Sequence, residues 1–181
     1  MRPVDFDLSL SRGGLALLYI KTWKGPSNLA REGLFAREDV GKGGIVANFV
    51  EDAVVLTEKE YQLEQKNGNE LVIMSGVRWI GGYFLCKKKI GHEEYINHSF
   101  GPNLIYHMGV CFAARRIRSG EELTADYRFF LAENDVNAFT DVTTGRRVDG
   151  FSAEEALYRS ARAVVAIMES SESSSAGIMI P

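Results

Sequence analysis

Two short runs in this chain carry the side chains best suited to chemistry. The first, Tyr95-Ile96-Asn97-His98-Ser99-Phe100-Gly101-Pro102-Asn103, sets an amide, an imidazole and a hydroxyl in an otherwise apolar stretch. The second, Gly120-Glu121-Glu122-Leu123-Thr124-Ala125-Asp126-Tyr127, follows an acidic turn and ends on a phenol. Polar groups in an apolar segment are costly to bury without partners. Asn, His and Ser offer both donors and acceptors, so the first run reads as built to hold something polar. Tyr127 stands where a phenol could point into a pocket. Between the two runs, Leu104 to Ala114 alternates in the manner of a β-hairpin.

Together the runs resemble the signature of SET-domain protein lysine methyltransferases. That family carries Asn-His-Ser-x-x-Pro-Asn followed by Gly-Glu-Glu-Leu-x-x-Asp-Tyr, and both are complete here in that order. An earlier family segment, Gly-x-Gly-Leu-Phe-Ala, is matched by Gly33-Leu34-Phe35-Ala36, with Arg31 in place of the first glycine. The family's Gly-Asn-x-Ala-Arg-Phe is answered by Gly91-His92-Glu93-Glu94-Tyr95, which keeps the aromatic and puts Glu94 where Arg is usual. The resemblance runs from about Gly33 to Tyr127, roughly half the chain.

The resemblance implies a mainly β fold with minor α: small curved sheets, a knot-like C-terminal threading and a C-terminal helix. It implies an S-adenosyl-L-methionine-dependent protein-lysine N-methyltransferase, acting on a lysine of a histone tail or another basic protein. Tyr127 matches the catalytic tyrosine. Asn97 and His98 match cofactor-binding positions, and the backbone at Glu32, Gly33 and Leu34 flanks the methionine part of the cofactor. Tyr83 and Tyr95 are expected to line the substrate channel, and Ala125, where some members have Phe or Tyr, to leave room for di- or trimethylation. No metal is implied. A second reading, a catalytically inactive SET-like interaction module, stays open because Arg31 and Glu94 depart from the family pattern, and a non-protein amine acceptor is not separable by sequence.

The chemistry makes definite demands. A lysine amine has a pKa of about 10.4, so at pH 7 only about one in 10³ is neutral and nucleophilic. An apolar channel favours the neutral form by desolvation and aligns it for transfer.

Composition is compatible with this. The chain has 181 residues, 45% hydrophobic and 25% charged, with a net charge of −3. That is ordinary globular composition for one domain, and a dedicated nucleic-acid binder would be basic. Two cysteines, Cys86 and Cys111, are too few for a disulfide scaffold or a thiolate zinc site, and are expected reduced and buried in an intracellular protein, nuclear or cytoplasmic. No run approaches the ~20 apolar residues of a membrane span, and no secretory leader is evident. His92-Glu93-Glu94 fails as a zincin motif because position 96 is Ile. Lys87-Lys88-Lys89 reads as plain surface.

Around the two runs, the pattern divides the chain into a lead-in (1–14), a SET-like catalytic domain (15–131), a flank with a helix packing on the domain (132–168) and a mobile tail (169–181). That the flank also closes the cofactor pocket, as C-terminal flanks of SET domains do, is a second reading left open by the sequence. Leu15 to Trp23 reads as the first strand and Lys24 to Asn28 as a turn. Ile45 to Val50 and Ala53 to Leu56 read as a strand pair. Leu71 to Met74, Val77 to Ile80 and Tyr83 to Cys86 read as short strands. Thr57 and Glu60 form a capping box for a helix ending at Asn67-Gly68. Ser152 and Glu155 form another, for a helix over 151–168 whose apolar face is Leu157, Ala161, Val164, Val165 and Met168.

Overall fold

The structure is a computed structural model that describes residues 18–175, with side chains to residue 170. Strand β1 (Thr22–Pro26) pairs antiparallel with β2 (Glu32–Ala36). Strands β3 (Ile45–Asn48) and β4 (Ala53–Thr57) lead to helices α1 (Glu58–Lys66) and α2 (Glu70–Ser75). Next come β5 (Val77–Arg78), β6 (Tyr83–Lys87), a 3₁₀ turn at Glu93–Tyr95 and β7 (Asn97–His98). The hairpin β8 (Leu104–His107) and β9 (Val110–Ala113) precedes β10 (Thr124–Ala125) and a second 3₁₀ turn, Tyr127–Phe129. The chain closes with β11 (Phe139–Thr140), β12 (Arg147–Val148) and helix α3 (Ala153–Ser175).

These strands make five small sheets: β1–β2, β3–β9–β8, β4–β6–β5, a parallel β7–β10 pair and β11–β12. The fold is thus mainly β with a C-terminal helix, as the sequence implies. No helix among the described residues is long and apolar enough to cross a membrane.

The sheets share a core of Leu34, Val46, Phe49, Leu85, Ile96, Leu104, Ile117 and Leu123, all fully or almost fully buried. Each large apolar side chain so placed contributes roughly 1.5–3 kcal/mol. A smaller cluster lies under α1, where Tyr61 stacks on Phe84 at 4.0 Å between ring centres. Buried Asp135 ties this cluster to the C-terminal flank by accepting hydrogen bonds from Tyr61, Gln65 and the Ala132 and Asn137 amides. Cys86 and Cys111 are free and buried.

Several local expectations give way to tertiary structure. The first described strand starts at Thr22 and absorbs Gly25 and Pro26, because its edge position leaves the missing proline N–H harmless; residues 15–17 lie outside the described part. Strands β3 and β4 do not pair with each other: β3 joins β9, and β4 joins β6. Leu71 to Met74 is helical in α2, since Asn69 caps the Val72 amide. The capping box of α1 forms as expected.

Helix α3 begins as the Ser152 hydroxyl accepts the Glu155 N–H, but it continues past Met168 to Ser175. Its buried positions are Ala156, Ser160 and Ile167, whereas Leu157, Val165 and Met168 are 39%, 54% and 42% exposed. The face is turned by about one residue from the apolar stripe. Small side chains at Ala156 and Ser160 let the helix approach β8, where the Ser160 hydroxyl lies 2.8 Å from His107 Nδ1.

Candidate active site

The two signature runs meet because the chain after β9 returns along β2. Leu123 N–H donates to Leu34 C=O, and the Ala36 amide donates to Glu121 C=O, at 2.7 and 2.9 Å. This places β10 beside β7 in parallel register, Thr124 against Asn97 and Ala125 against His98. Asn103 welds the junction: its Nδ2 donates to Glu122 C=O at 2.8 Å, and its Oδ1 accepts the Thr124 amide at 2.9 Å. Successive side chains of a strand face opposite ways. Asn97 and His98 therefore open onto two different surroundings.

On the Asn97 face the groups are small, polar and mutually paired. Asn97 Nδ2 donates to the Glu32 carbonyl at 2.8 Å and to Glu122 Oε1 at 2.7 Å, with Ser27 Oγ at 3.3 Å. The Ser27 hydroxyl donates to the same carboxylate oxygen at 2.7 Å and accepts the Leu29 amide at 2.9 Å. Gly33 is held against this cluster so closely that a Cβ there would sit 2.3 Å from Glu122 Oε1 and 3.1 Å from Asn97 Nδ2. Only glycine leaves that wall open. At the rim, Lys24 pairs with Glu32 at 3.1 Å and lies 4.3 Å above the centre of the Tyr95 ring.

The His98 face is aromatic. The buried imidazole meets Phe100, Phe139 and Tyr127 edge-on, at 4.6, 5.6 and 5.6 Å between centres. Its Nδ1 accepts the Tyr127 N–H at 3.1 Å, which assigns the proton of the neutral ring to Nε2. Burial holds its pKa below the ordinary value against the opposing pull of Asp126, so the ring is neutral at pH 7. Nε2 is buried and has no hydrogen-bond partner among the described residues.

Tyr127 lies next to it. Its hydroxyl donates to Ile96 C=O at 2.7 Å, and its ring borders a cavity of about 190 Å³ whose other walls include Phe49, Val77, Ile96, Phe130 and Glu94. Burial, then the nearby Glu94 carboxyl, drive the phenol pKa well above its usual value, so the group keeps its proton at neutral pH.

Comparison with known proteins agrees with this geometry. The SET domain family model matches residues 31–128, more than half of the chain. The chain belongs to the SET-domain family. It is 30% identical to the H3 lysine-4-specific histone-lysine N-methyltransferase of Schizosaccharomyces pombe over 58% of this chain, a stretch that makes up 12% of that protein. The family is in general one of protein-lysine methyltransferases.

Within this SET domain the structure brings Glu32, Gly33 and Asn97 into one cluster and His98 and Tyr127 into the other. Leu34 is fully buried in the main core, and its carbonyl accepts the Leu123 N–H that holds β2 to the second run. Tyr95 sits on the Asn97 side under Lys24 and lines no wall of the Tyr127 cavity. Tyr83 does not join either cluster: it lies at the start of β6 opposite Thr57 and is 48% exposed. Ala125 is fully buried in the main core and is not a wall of the cavity, so the bulk there is set by Phe49, Ile96 and Phe130 instead.

Two participants escaped the sequence reading. Glu122 looks like a turn residue, but Glu121 and Glu122 in an extended run must face opposite ways. Glu121 takes the surface, pairing with Arg115 at 2.8 Å, and Glu122 points inward to Asn97. Ser27 lies in a turn with no distinguishing neighbour. Lys87 corrects the reading of the lysine run: it is 6% exposed and donates to the Glu51 carbonyl at 2.6 Å, while Lys88 and Lys89 remain on the surface.

Proposed function

We propose that this SET domain is an S-adenosylmethionine-dependent protein-lysine N-methyltransferase, with Tyr127 as its catalytic residue. The observation that carries the reading is the placing of a polar glycine-walled cluster and a protonated phenol on the two faces of one short strand. A methyl donor and an amine must approach a common point from different directions, and a strand with opposed faces separates their two supports.

The residues fit the cofactor. Gly33 keeps open a wall that any side chain would fill, Glu122 and Ser27 supply oxygens suited to a cationic amino-acid group, and His98 holds out an unpaired buried Nε2–H. Bound against Asn97, Gly33 and His98, S-adenosylmethionine supplies an electrophilic methyl group. Arg31 is exposed beside Glu32, so the departure from the family's first glycine adds no bulk inside the cluster. Phe139 of the flank covers the His98 and Tyr127 rings, which supports a role for residues 132–168 in closing the pocket.

The chain's own contribution at the acceptor side is orientation and exclusion of water. Apolar walls at Phe49, Val77, Ile96 and Phe130 favour a neutral amine over an ammonium. The Tyr127 hydroxyl and the Ile96 carbonyl give that nitrogen a fixed polar edge to align on. The acceptor is a lysine of a basic protein, histone tails being the first class to try.

The test is incubation with S-adenosylmethionine and separate pools of histones and ribosomal proteins, read by mass spectrometry of lysine peptides. Methyl-lysine formed by the wild-type chain and lost in Tyr127→Phe supports the assignment. Equal product from wild type and Tyr127→Phe removes Tyr127 from its role, and a wild-type chain that binds no cofactor overturns the reading as a whole.

A further inference from the structure

The cavity beside Tyr127 is lined by two carboxyl groups that the described residues leave without hydrogen bonds. Glu93 and Glu94, in the 3₁₀ turn before β7, both line it. Glu93 is 2% exposed, and neither of its carboxylate oxygens has a hydrogen-bond partner among the described residues. Glu94 Oε1 is likewise buried without a hydrogen-bond partner there. Burying such groups unsatisfied is expensive, so a site that retains them is arranged around something else.

Among the described residues the bases that act on Glu93 are Lys87, which is buried, and the exposed His92. The Lys87 Nζ lies 3.8 Å from Glu93 Oε1, beyond hydrogen-bond distance, and its hydrogen bond goes to the Glu51 carbonyl. One ammonium therefore serves two carboxyl groups. The remaining titratable groups around Glu94 are Cys86, Tyr106 and Tyr127, all uncharged at neutral pH, and His92 lies exposed on the same turn. The cavity has room for one more cation and one carboxyl group left to pair with it.

We propose that Glu94, backed by Glu93, is the subsite that receives the alkylammonium group of the substrate side chain at the inner wall of the Tyr127 cavity. The proposal rests on the methyltransferase reading for the identity of that substrate, but the cation site itself stands on the cavity and its carboxyl groups. Walls apolar enough to favour a neutral amine also repel its arriving cation, and a buried carboxylate offsets that barrier. It also discriminates: an isosteric neutral side chain gains nothing from Glu94 and leaves it unpaired. Burial first, and the Glu93 charge second, push the Glu94 pKa up to about 8, so the carboxylate form is the minority species at pH 7 and the majority at pH 9.

The experiment uses n-butylammonium as the probe and ¹³C-methyl methionine spectra as the readout, since Met74 lies at the cavity and is 60% exposed. The wild-type chain should give a saturable Met74 shift whose affinity rises about 10-fold from pH 7 to pH 9 as Glu94 ionises. n-Pentanol, of similar length and neutral, should give none in the same range. Glu94→Gln should weaken n-butylammonium binding by at least about 10-fold and remove the pH dependence. Equal binding of amine and alcohol, or an unchanged affinity in Glu94→Gln, overturns the proposal. The wild-type pH series decides the matter even where Glu94→Gln does not fold. Titration of the same sample with S-adenosylmethionine separates the two readings: amine binding without cofactor binding removes the methyltransferase assignment and keeps the subsite.

Discussion

The two faces of β7 differ in how completely their polar groups are satisfied. On the Asn97 face, Ser27, Glu32, Glu122 and the amide close a hydrogen-bonded ring around Gly33. On the other side, His98 Nε2, both Glu93 oxygens and Glu94 Oε1 are buried without hydrogen bonds among the described residues. A closed network holds its own shape, whereas unpaired buried groups raise the energy of the free protein. On the proposed reading, the first face is preorganised for a ligand that slots against backbone, and the second gains partners when a ligand binds.

The comparison breaks most readily at Tyr127. Tyr127→Phe should lower methyl transfer by about 10²–10³-fold, the usual consequence of losing one preorganised donor, while cofactor affinity changes by less than about 3-fold. Single-turnover assays beside calorimetry measure both. A parallel loss of cofactor affinity would mean that the two faces are not separable.

The Glu94 side has a pH signature. A carboxyl group whose folded pKa is raised from 4.5 to about 8 keeps, in the folded state, a proton that the unfolded chain releases over that window. Stability therefore falls as pH rises through the window and levels off above it. Glu94→Gln should flatten this dependence and be on the order of 5 kcal/mol more stable than wild type at pH 9, with little difference at pH 4. Urea melts at the two pH values read this directly.

Gly33→Ala sharpens the comparison from the satisfied side. The added Cβ displaces the Glu122 carboxylate and Asn97 amide, so cofactor affinity should fall at least about 10-fold, with a stability cost of about 1–3 kcal/mol. The tyrosine face should be untouched, and n-butylammonium affinity should stay at its wild-type value. Smallest of all, Ser160→Ala removes the contact with His107 that seats α3 on β8 and should cost about 1 kcal/mol by denaturant melt. It lies outside both faces and should leave both ligand affinities alone.

Much of this site was legible in the sequence because it is written in contiguous motifs. Asn97, His98, Gly33 and Tyr127 stand at fixed offsets within them, whereas the parallel register of β7 against β10 depends on the return along β2 and the Asn103 junction. What was not legible depends on direction. Glu122 and Glu121 are the same residue type, and only the β2 contact decides which one faces inward. Tyr83 and Tyr95 are the same residue type, yet Tyr83, at the start of β6 opposite Thr57 of β4, is left at the surface.

The helices teach the same lesson. Leu71 to Met74 is too short a run for its period to tell strand from helix, and the Asn69 cap decides it. The buried face of α3 follows the hydroxyl of Ser160 and the smallness of Ala156 rather than its largest apolar side chains, because close approach to β8 and a hydrogen bond to His107 outweigh the extra area of Leu157. Lys87 reads as surface in the sequence because its two neighbours, Lys88 and Lys89, are. Its burial depends on Glu51 and Glu93, which lie far from it or across a turn in sequence.

The central claim is that the Asn97 face holds S-adenosylmethionine while Tyr127 acts on the other side. Calorimetric titration with S-adenosylmethionine tests it most directly, with wild type beside Asn97→Ala and Tyr127→Phe. The account predicts saturable binding by the wild-type chain, loss in Asn97→Ala and near-wild-type affinity in Tyr127→Phe. A folded wild-type chain that gives no binding heat and no displacement by S-adenosylhomocysteine would contradict it, and the domain would then be a SET-like interaction module.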